Sequence, residues 1–408
     1  MAELRQNTWS LDEWYGQYVA GTTGGYKYGG SMWSWGDSTG GELGQNDATP
    51  GARRSSPNQI GSNEGWKLIE ATGSSNACFA IKSDGTLWSW GEDDQGMMGQ
   101  NEDKKFSSPM QIGTNTNWAK VHGGRASIGA INDDGELFVW GWNNYGILGQ
   151  NQGGASNAAP RYSSPTQIPG SWQTISFGYQ SAVGVKTNGT LWTWGRGNAG
   201  LGLNQGSTVD RSSPTQVGTD TNWVQGRAGE NIGTGLKTDG TLWAWGQNQG
   251  GALGKNDTNH RSSPAQIPGT WIQYDTSNNQ EQIMGGVKSN GQLFMWGRGY
   301  SGQLGQGTGY GTWVRRSSPT LIPGSWDVDL DEGGENTLST EQMCACKKQD
   351  GGYYLWGFAP SASGAFGLND RSPSAPGNTK GSPTQIPGSF TVIRTGTRAT
   401  FAIKPAGT

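Results

Sequence analysis

The 408-residue sequence is poor in the residues that support cross-links, metal centres and acid–base catalysis. It contains three cysteines and two histidines. Three cysteines are too few to staple a chain of this length with disulfides, so packing must supply the stability. The histidines, His122 and His260, fall in different parts of the chain, which disfavours a histidine triad or a multi-histidine metal site. We therefore expect no catalytic residues and no cofactor, and we interpret both histidines as solvated or incidental.

An excess of charge of one sign and long apolar runs are also missing. The 29 basic and 32 acidic residues give a formal net charge of −3, so no overall basic field favours nucleic acid or an anionic membrane. No apolar run approaches the roughly 18 residues that a membrane span needs, and the first residues lack the features of a secretory signal. We expect a soluble protein made in a cytoplasm, with neither nucleic-acid binding nor membrane insertion.

Glycine and tryptophan, in contrast, are abundant, with 71 and 21 residues. A hydrophobic run that ends in Trp-Gly recurs seven times at intervals of about 50 to 60 residues, and a period of that length indicates a repeat architecture. The closing glycines are Gly36, Gly91, Gly141, Gly195, Gly246, Gly297 and Gly357.

Each repeat unit is typical of a small antiparallel sheet of about four strands. After Trp-Gly come a turn of the form Gly-x-Leu-Gly, a variable loop, Ser-Ser-Pro, an aromatic residue and an apolar strand. A tight turn such as Ser83-Asp84-Gly85 then leads into the next Trp-Gly strand, and its Asp-Gly pair predicts a type I′ hairpin. The glycines predict turns and no phosphate cradle, because no helix follows them.

The two ends of the chain share one unit. Residues 401–408 (FAIKPAGT) match residues 79–86 (FAIKSDGT) and stop where a Trp-Gly strand should follow; that strand is residues 32–36. A shared unit closes a ring without a free edge strand. We therefore predict an all-β, seven-bladed β-propeller closed by pairing of its terminal strands, with residues 1–30 as an N-terminal arm and residues 31–408 as the propeller.

Seventeen of the 21 tryptophans follow the repeat, and because alternate residues of a strand share a face, we assign them to blade cores. Cys78, Cys344 and Cys346 fall on strand positions that hold small or apolar residues elsewhere, so we expect inert buried thiols. A metal site at Cys344 and Cys346 is the alternative. Trp142 and Trp313 lie off the repeat, which makes them candidates for exposed aromatic binding anchors.

The repeat resembles that of the regulator of chromosome condensation family. The resemblance rests on LWxWG followed by Gly-x-Leu-Gly, a loop, proline and an aromatic residue, and it covers about residues 31–408. It implies a seven-bladed propeller closed by its termini. The founding member is an exchange factor for a small nuclear GTPase and also binds chromatin, but this sequence has neither a basic N-terminal tail nor a wedge-like β insertion.

The opening residues 7–21 (NTWSLDEWYGQYVAG) are similar to propellers encoded by marine bacteriophages, which are presumed virion-surface proteins. Within them Ser10 and Glu13 form a capping box, and Trp9 and Trp14 are placed to staple the first turn of a short helix. The arm could cover one end of the propeller or anchor it to a larger assembly, and both tryptophans are binding candidates.

Basic residues precede the Ser-Ser-Pro position in every unit. On a propeller they would form a ring of cations on one rim, able to bind sulfated glycan, phosphate or an acidic protein. Alternatively, each guanidinium satisfies carbonyl groups at a blade corner. The candidate binding residues among them are Arg54, Arg161, Arg211, Arg261 and Arg316.

An acidic insert precedes the Trp356-Gly357 strand. Its alternating carboxylates Asp327, Asp329 and Asp331 are a weak calcium candidate, since Ca²⁺ prefers several oxygen ligands. The spacing fits no EF-hand, and a solvated acidic loop is the other interpretation.

These features predict a noncatalytic structural or binding module on the surface of a virion, as a decoration, tail or fibre-associated protein. Its partners would be other virion proteins or a host-surface ligand, contacted through the arm and the most irregular loops. The alternative is a guanine-nucleotide exchange factor or another regulatory scaffold acting on a GTPase. The irregular loops span residues 45–54, 151–162, 306–316 and 358–380.

Overall fold

The computed structural model describes residues 29–405, with gaps at 39, 48, 50–51, 63–64, 73–75, 94, 154–158, 198–200, 204–208, 278–281, 301, 308–310, 312, 330–337, 341, 360–363, 370–378 and 397. The described residues form strands, turns and loops, and they contain no helix long and apolar enough to span a membrane. The helix predicted at Ser10, with Trp9 and Trp14, lies outside them.

The described residues form 28 strands in seven four-stranded antiparallel sheets, which confirms the predicted seven-bladed propeller. In chain order the strands are β1 (Ser31–Asp37), β2 (Arg53–Gln59), β3 (Trp66–Ala71), β4 (Ala77–Lys82), β5 (Leu87–Gly91), β6 (Phe106–Gln111), β7 (Trp118–Gly123), β8 (Ser127–Asn132), β9 (Leu137–Trp142), β10 (Arg161–Ile168), β11 (Trp172–Phe177), β12 (Ser181–Lys186), β13 (Leu191–Gly195), β14 (Arg211–Gln216), β15 (Trp223–Ala228), β16 (Ile232–Lys237), β17 (Leu242–Gly246), β18 (Arg261–Ile267), β19 (Gln273–Thr276), β20 (Ile283–Val287), β21 (Leu293–Gly299), β22 (Val314–Ile322), β23 (Ser339–Thr340), β24 (Met343–Lys347), β25 (Tyr353–Phe358), β26 (Thr379–Gln385), β27 (Val392–Thr395) and β28 (Ala399–Lys404).

Blades 1 to 6 are β3–β6, β7–β10, β11–β14, β15–β18, β19–β22 and β23–β26, and blade 7 joins β27 and β28 to β1 and β2. Strand β1 pairs antiparallel with β28, with Met32 opposite Ile403 and Ser34 opposite Phe401. This pairing confirms the predicted closure of the ring by the two ends of the chain.

The first strand of each blade faces the central axis, where these strands contact one another in a closed ring. The fourth strand carries Ser-Ser-Pro and forms the rim. Two faces result. The loop face holds the connections between first and second and between third and fourth strands. The hairpin face holds the turns between second and third strands and the links from blade to blade.

Neighbouring blades are joined by a buried indole hydrogen bond. Trp140 Nε1 of blade 2 donates to the carbonyl of Met97 in the Gly-x-Leu-Gly turn of blade 1 at 2.7 Å. Gly99 closes that turn with a φ of 69°, and a Cβ there would lie 3.0 Å from the same Nε1, so only glycine fits. In the described residues the bond joins the pairs Trp35–Ala365, Trp90–Glu42, Trp140–Met97, Trp194–Ile147, Trp296–Ala252 and Trp356–Gln303.

A left-handed asparagine adds a second contact between blades. The N–H of Asn101, which has a φ of 59°, donates at 2.7 Å to the carbonyl of Ser163 in the Ser-Ser-Pro strand of the next blade. The loop between third and fourth strands is therefore docked on the following blade from two sides. The equivalent pairs are Asn46–Ser107, Asn101–Ser163, Asn151–Ser212, Asn256–Ser317 and Asn369–Ser55.

The tryptophans divide into two classes. Those of the Trp-Gly pairs, such as Trp90, are fully buried, whereas those two residues earlier, such as Trp88, are half-buried. Lys82 covers Trp88, a member of the second class, with its Nζ 4.3 Å from the ring centroid. The same Nζ lies 4.7 Å from the ring centroid of Trp66, the tryptophan that follows Ser-Ser-Pro. The assignment to blade cores holds, and six blades use such a lysine: Lys82, Lys186, Lys237, Lys288, Lys348 and Lys404.

The predicted type I′ hairpin is wrong. Gly85 is left-handed with a φ of 76° but Asp84 is not. The bonds Gly85 N–H to Lys82 O (2.9 Å) and Lys82 N–H to Thr86 O (3.0 Å) define a three-residue loop with a glycine bulge. Asp84 stays out of the left-handed region because its carboxylate accepts the Thr86 N–H at 3.0 Å.

The three cysteines are buried, as predicted, and no disulfide joins them. Burial raises the pKa of the Cys78 thiol well above its ordinary value. Cys344 and Cys346 lie in β24, opposite Trp356 and Tyr354. Within the described part of the chain no group of histidine, cysteine or acidic residues is arranged to hold a metal.

The interblade indole bond provides a test of what holds the ring together. Trp194→Phe should lower the free energy of unfolding by about 1–3 kcal/mol, because it leaves the buried Ile147 carbonyl without its donor at 2.6 Å. The matched control is Trp192→Phe in the same strand, whose indole bonds only the Thr190 hydroxyl at 2.8 Å. Denaturant unfolding that shows equal losses for the two variants would contradict the assignment.

One docked loop carries a buried acid. Glu42 is 2% exposed and occupies the x position of Gly-x-Leu-Gly in blade 7, where blade 5 has Gln303. Its Oε2 accepts the Gly40 N–H at 2.7 Å, while its buried Oε1 has no hydrogen-bond partner among the described residues. Burial, reinforced by Asp37 and Glu92, raises its pKa from 4.5 to about 7.

This raised pKa predicts a stability that falls with pH. The folded state binds more protons than the unfolded state between pH 4.5 and about 7, so the stabilisation is fully present below that window and is lost as pH rises through it. Glu42→Gln removes the titration, and its free energy of unfolding at pH 8 should exceed that of the wild type by up to about 3 kcal/mol. At pH 4 the two proteins should be nearly equal; a difference that does not change with pH would contradict the assignment.

Candidate functional site

The five candidate arginines begin the outermost strands of their blades, at the loop face. Four lie opposite the glycine of Trp-Gly, and Arg161 lies one step earlier, opposite Trp142. The four register pairs are Arg54–Gly36, Arg211–Gly195, Arg261–Gly246 and Arg316–Gly297.

Local contacts occupy most of these guanidinium groups. Arg54 Nη2 lies 3.5 Å from Asp47, and Arg261 Nη2 lies 2.6 Å from Asp257. Arg211 donates to the Asp210 carbonyl at 3.5 Å, while the side chain of Arg161 is exposed. Such contacts match the structural interpretation, in which the arginines stabilise the corners of the blades. They also leave little uncompensated positive charge for an evenly distributed ring of cations.

The two off-repeat tryptophans differ in exposure. Trp142 is half-buried with a buried Nε1, because β9 continues through it, so the expectation of an exposed anchor is wrong for this residue. Trp313 is 51% exposed, which agrees with the expectation. The more accessible aromatic surface therefore lies on blade 5.

Trp313 is held in place by two neighbours that sequence reasoning missed. Its ring centroid lies 4.4 Å from that of Tyr300 at an interplanar angle of 48°. The Arg298 guanidinium carbon lies 3.9 Å from the Trp313 ring centroid, on the other strand of the same hairpin. We call Arg298, Tyr300 and Trp313, with the exposed Arg315 and Arg316, the aromatic–arginine patch.

Positive charge in this patch is only partly compensated. Arg298 and Arg315 are cross-strand partners, and like charges placed directly opposite each other repel. Within the part of the chain that the structure describes, the buried Nε of Arg298 has no hydrogen-bond partner. Glu230 lies nearby in blade 4, but burial raises its pKa despite the opposing effect of Arg298. An acidic group placed over the patch would relieve the repulsion.

The acidic insert is partly described. Asp327 is 9% exposed and lies 3.2 Å from Lys347 Nζ, and its other carboxylate oxygen accepts the Asp329 N–H at 3.2 Å. The carbonyl of Asp329 accepts a bond from Gln273 at 2.6 Å. Asp331 lies outside the described residues, and calcium binding stays a prediction.

Polar side chains meet at the loop-face end of the central channel, around a cavity of about 30 Å³. His122 Nε2 lies 3.3 Å from Ser176 Oγ and 3.7 Å from Glu70 Oε1, while Nδ1 accepts the Phe177 N–H at 3.1 Å. Serine and glutamate thus share one nitrogen, whereas a catalytic triad places them on opposite nitrogens.

His122 is not solvated, contrary to expectation. Its side chain is 11% exposed, and burial, together with Arg227 and Arg394, lowers its pKa well below the ordinary value. The hydroxyl of Ser176 also accepts the Ala228 N–H at 3.0 Å and is itself buried. The cluster therefore links inner strands and presents no accessible nucleophile.

With this geometry established, the family model described as the regulator of chromosome condensation (RCC1) repeat matches residues 84–131, 134–185, 239–274 and 290–328. The chain is similar to the ultraviolet-B receptor UVR8 of Arabidopsis thaliana, with 26% identity over 350 residues, which cover 71% of this chain and 77% of the receptor. It is also similar to the E3 ubiquitin-protein ligase HERC2 of Homo sapiens, with 28% identity over 139 residues, or 33% of this chain and 3% of the ligase.

Solved structures show the same fold. Human WBSCR16 has a TM-score of 0.73 at 19% identity, with 91% of this chain and 99% of that chain covered. Prp20p of Saccharomyces cerevisiae also has a TM-score of 0.73 at 19% identity, with coverage of 92% and 91%. The chain is therefore a seven-bladed propeller, and four stretches of it match the regulator of chromosome condensation repeat.

Proposed function

We propose that this propeller is a noncatalytic binding module that recognises an acidic protein surface through the aromatic–arginine patch of blade 5. The observation that carries the proposal is Trp313, which is 51% exposed yet fixed by Tyr300 and Arg298. A large aromatic side chain that is both exposed and held in one orientation binds with little loss of conformational entropy.

The composition of the patch supports a protein partner. Its members are tryptophan, tyrosine and arginine, the three residue types most enriched among energetic hot spots of protein interfaces. Arg315 and Arg316 are exposed beside Trp313, and Arg298 repels Arg315 across the strand pair. An acidic partner would gain both ring contact and charge pairing, and it would bind faster at low ionic strength.

The setting we propose is the surface of a virion, with the N-terminal arm joined to the particle and the loop face turned outward. This part of the proposal is supported by the resemblance of residues 7–21 to phage-encoded propellers, and those residues lie outside the described part of the chain. Peptide mass spectrometry of purified particles from the native source tests it directly; absence of the chain from the particles would refute it.

The alternative is a regulatory scaffold that acts on a GTPase. Its support is the likeness to Prp20p, whose structure was reported with its binding to Gsp1p and histones. At 19% identity that likeness extends to the fold alone. Accelerated nucleotide release from a GTPase of the native source would favour the alternative over the virion setting.

A charge reversal on the patch tests the binding proposal. The immobilised full chain should capture an acidic protein from an extract of the native source, and Trp313→Ala combined with Arg315→Glu should weaken that partner's affinity at least about tenfold, the size of effect typical of hot spots. Surface plasmon resonance with the purified partner measures the loss. Raising ionic strength should weaken binding as well.

Arg161→Glu is the matched control. Arg161 is exposed and holds the same register position in blade 2 that Arg315 holds in blade 5. If the patch is the site, Arg161→Glu leaves the affinity unchanged. If both variants weaken binding equally, the partner recognises the whole cationic rim and the proposal for blade 5 is wrong.

A further inference from the structure

A cleft of about 400 Å³ opens on the rim at the seam between blade 7 and blade 1. Its volume lies within the range of about 300–1,000 Å³ that is usual for small-molecule sites. One wall belongs to β2 and the docked loop of blade 7, and the other belongs to β6 of blade 1. The cleft is separate from the aromatic–arginine patch, which lies on blade 5.

The floor of the cleft is aromatic. It consists of Trp66 and the half-buried Trp88, whose ring centroids lie 5.9 Å apart in an edge-on arrangement. The indole N–H of Trp88 is bonded to the Thr86 hydroxyl at 2.8 Å, which fixes the ring. Trp66 is 2% exposed, so the rigid carbon surface that the floor offers to an apolar patch of a ligand belongs mainly to Trp88.

Four amide side chains from blade 7 surround this floor: Gln45, Asn46, Asn58 and Gln59. Two of them form an internal bond, from Asn58 Nδ2 to Gln45 Oε1 at 2.9 Å. That bond orients the Asn58 amide so that its oxygen keeps its capacity to accept. Asn46 Oδ1 lies 3.4 Å from the Ser108 hydroxyl, while its amide nitrogen remains a donor without a partner among the described residues.

Gln59 differs from two of its counterparts in other blades. Gln111 and Gln216 hold the same register position, and each donates to the carbonyl of a glycine two residues later at 3.2 Å. Gln59 makes no such bond within the described residues, although Gly61 is present two positions on. Its amide is therefore available to the cleft with both donor and acceptor.

Asn58 is also particular to this seam. The same position holds methionine, threonine or alanine in every other blade: Met110, Thr166, Thr215, Ala265, Thr320 and Thr384. Blade 7 alone places an amide there, next to a free glutamine amide. Asn58 is thus the departure from the repeat in this lining, whereas the other three amides occupy positions at which glutamine or asparagine recurs in other blades.

The cleft is nearly uncharged. Its lining includes one arginine, Arg54, whose Nη2 lies 3.5 Å from Asp47. A phosphate or carboxylate ligand would have to compete with that carboxylate. Amides, which donate and accept side by side, pair well with neighbouring hydroxyl groups, and indole surface pairs with the carbon face of a sugar ring.

We propose that the cleft between blades 7 and 1 binds an uncharged saccharide, with Asn58 and Gln59 hydrogen-bonding its hydroxyl groups above the Trp66 and Trp88 floor. A single hexose unit, as a terminal residue or within a glycan, meets these contacts. The site is independent of the patch on blade 5, and either can be present without the other.

Saturation-transfer difference NMR on the full chain tests the proposal. The ligands are the methyl α-glycosides of glucose, galactose and mannose, and N-acetylglucosamine. At least one should receive saturation from the protein, and Asn58→Thr combined with Gln59→Ala should weaken its affinity about tenfold, as expected for two lost hydrogen bonds. Threonine is already present at the equivalent position of four blades, so this variant should fold.

Gln111→Ala is the matched control, because Gln111 repeats Gln59 one blade further on and does not line the cleft. It should leave saturation transfer unchanged. Thermal unfolding of all variants verifies that they are folded. No transfer to any of the four sugars, or transfer that persists undiminished in the double variant, would overturn the proposal.

Discussion

The fold depends on a hydrogen bond from the Trp-Gly indole to a carbonyl of the preceding blade, which six of the seven blades make within the described residues. Trp140 and Met97 illustrate the arrangement, at 2.7 Å and fully buried. A sheet that is apolar on both faces cannot stand alone in water, so each blade needs two neighbours. The indole bond fixes how two neighbouring blades are oriented. Leaving its N–H or its carbonyl unpaired at this depth would cost more free energy than the bond itself contributes. Because the donor and the acceptor lie on different blades, the bond fixes the packing of whole blades as well as local structure, and the terminal pairing of β1 with β28 brings the last seam into the same scheme.

This constraint explains where binding chemistry is found. Residues that recur from unit to unit make structural contacts within and between blades. Arg261 forms an ion pair with Asp257, and Lys82 lies over two indole rings. Recognition needs side chains that the seams do not use. Both proposed sites include residues at which one blade departs from its siblings: blade 5 through Arg298 near the end of its third strand and Tyr300 just after that strand, and blade 7 through Asn58. A rigid ring that carries local exceptions is well suited to binding, because it positions a few side chains at little entropic cost.

The repeat made the blades, their number and the closing strand pair predictable, because each follows from spacing along the chain. The core role of Trp90 was predictable for the same reason. Contacts between units were not: the indole of Trp90 meets Glu42, and Asn101 meets Ser163, across roughly fifty or more residues with no local signal of the partner.

Trp313 was predicted to be exposed because it lies off the repeat, but its partners required the register of β21 against β22. The prediction of the hairpin turn was wrong because the Asp84 carboxylate accepts the N–H of Thr86, two residues later, and this bond favours a right-handed conformation at Asp84. The Asp-Gly pair alone does not reveal that bond.

The seam between blades 7 and 1 combines a binding cleft with a buried acid, and the docked loop of blade 7 connects the two. Glu42 offers its carbonyl to Trp90 at 2.8 Å while its own carboxyl is buried beside Asp37 and Glu92. Gly44 and Gln45, two and three residues later, line the cleft. Ionisation of Glu42 therefore bears on the loop that forms one wall of the cleft, since a buried carboxylate whose Oε1 lacks a hydrogen-bond partner among the described residues favours an undocked loop. The seam between blade 1 and blade 7, the blade in which the chain ends pair, is thus a place where protonation bears on the geometry of a binding cleft. A residue such as Gln303, at the same position in blade 5, keeps the docking contact without this dependence.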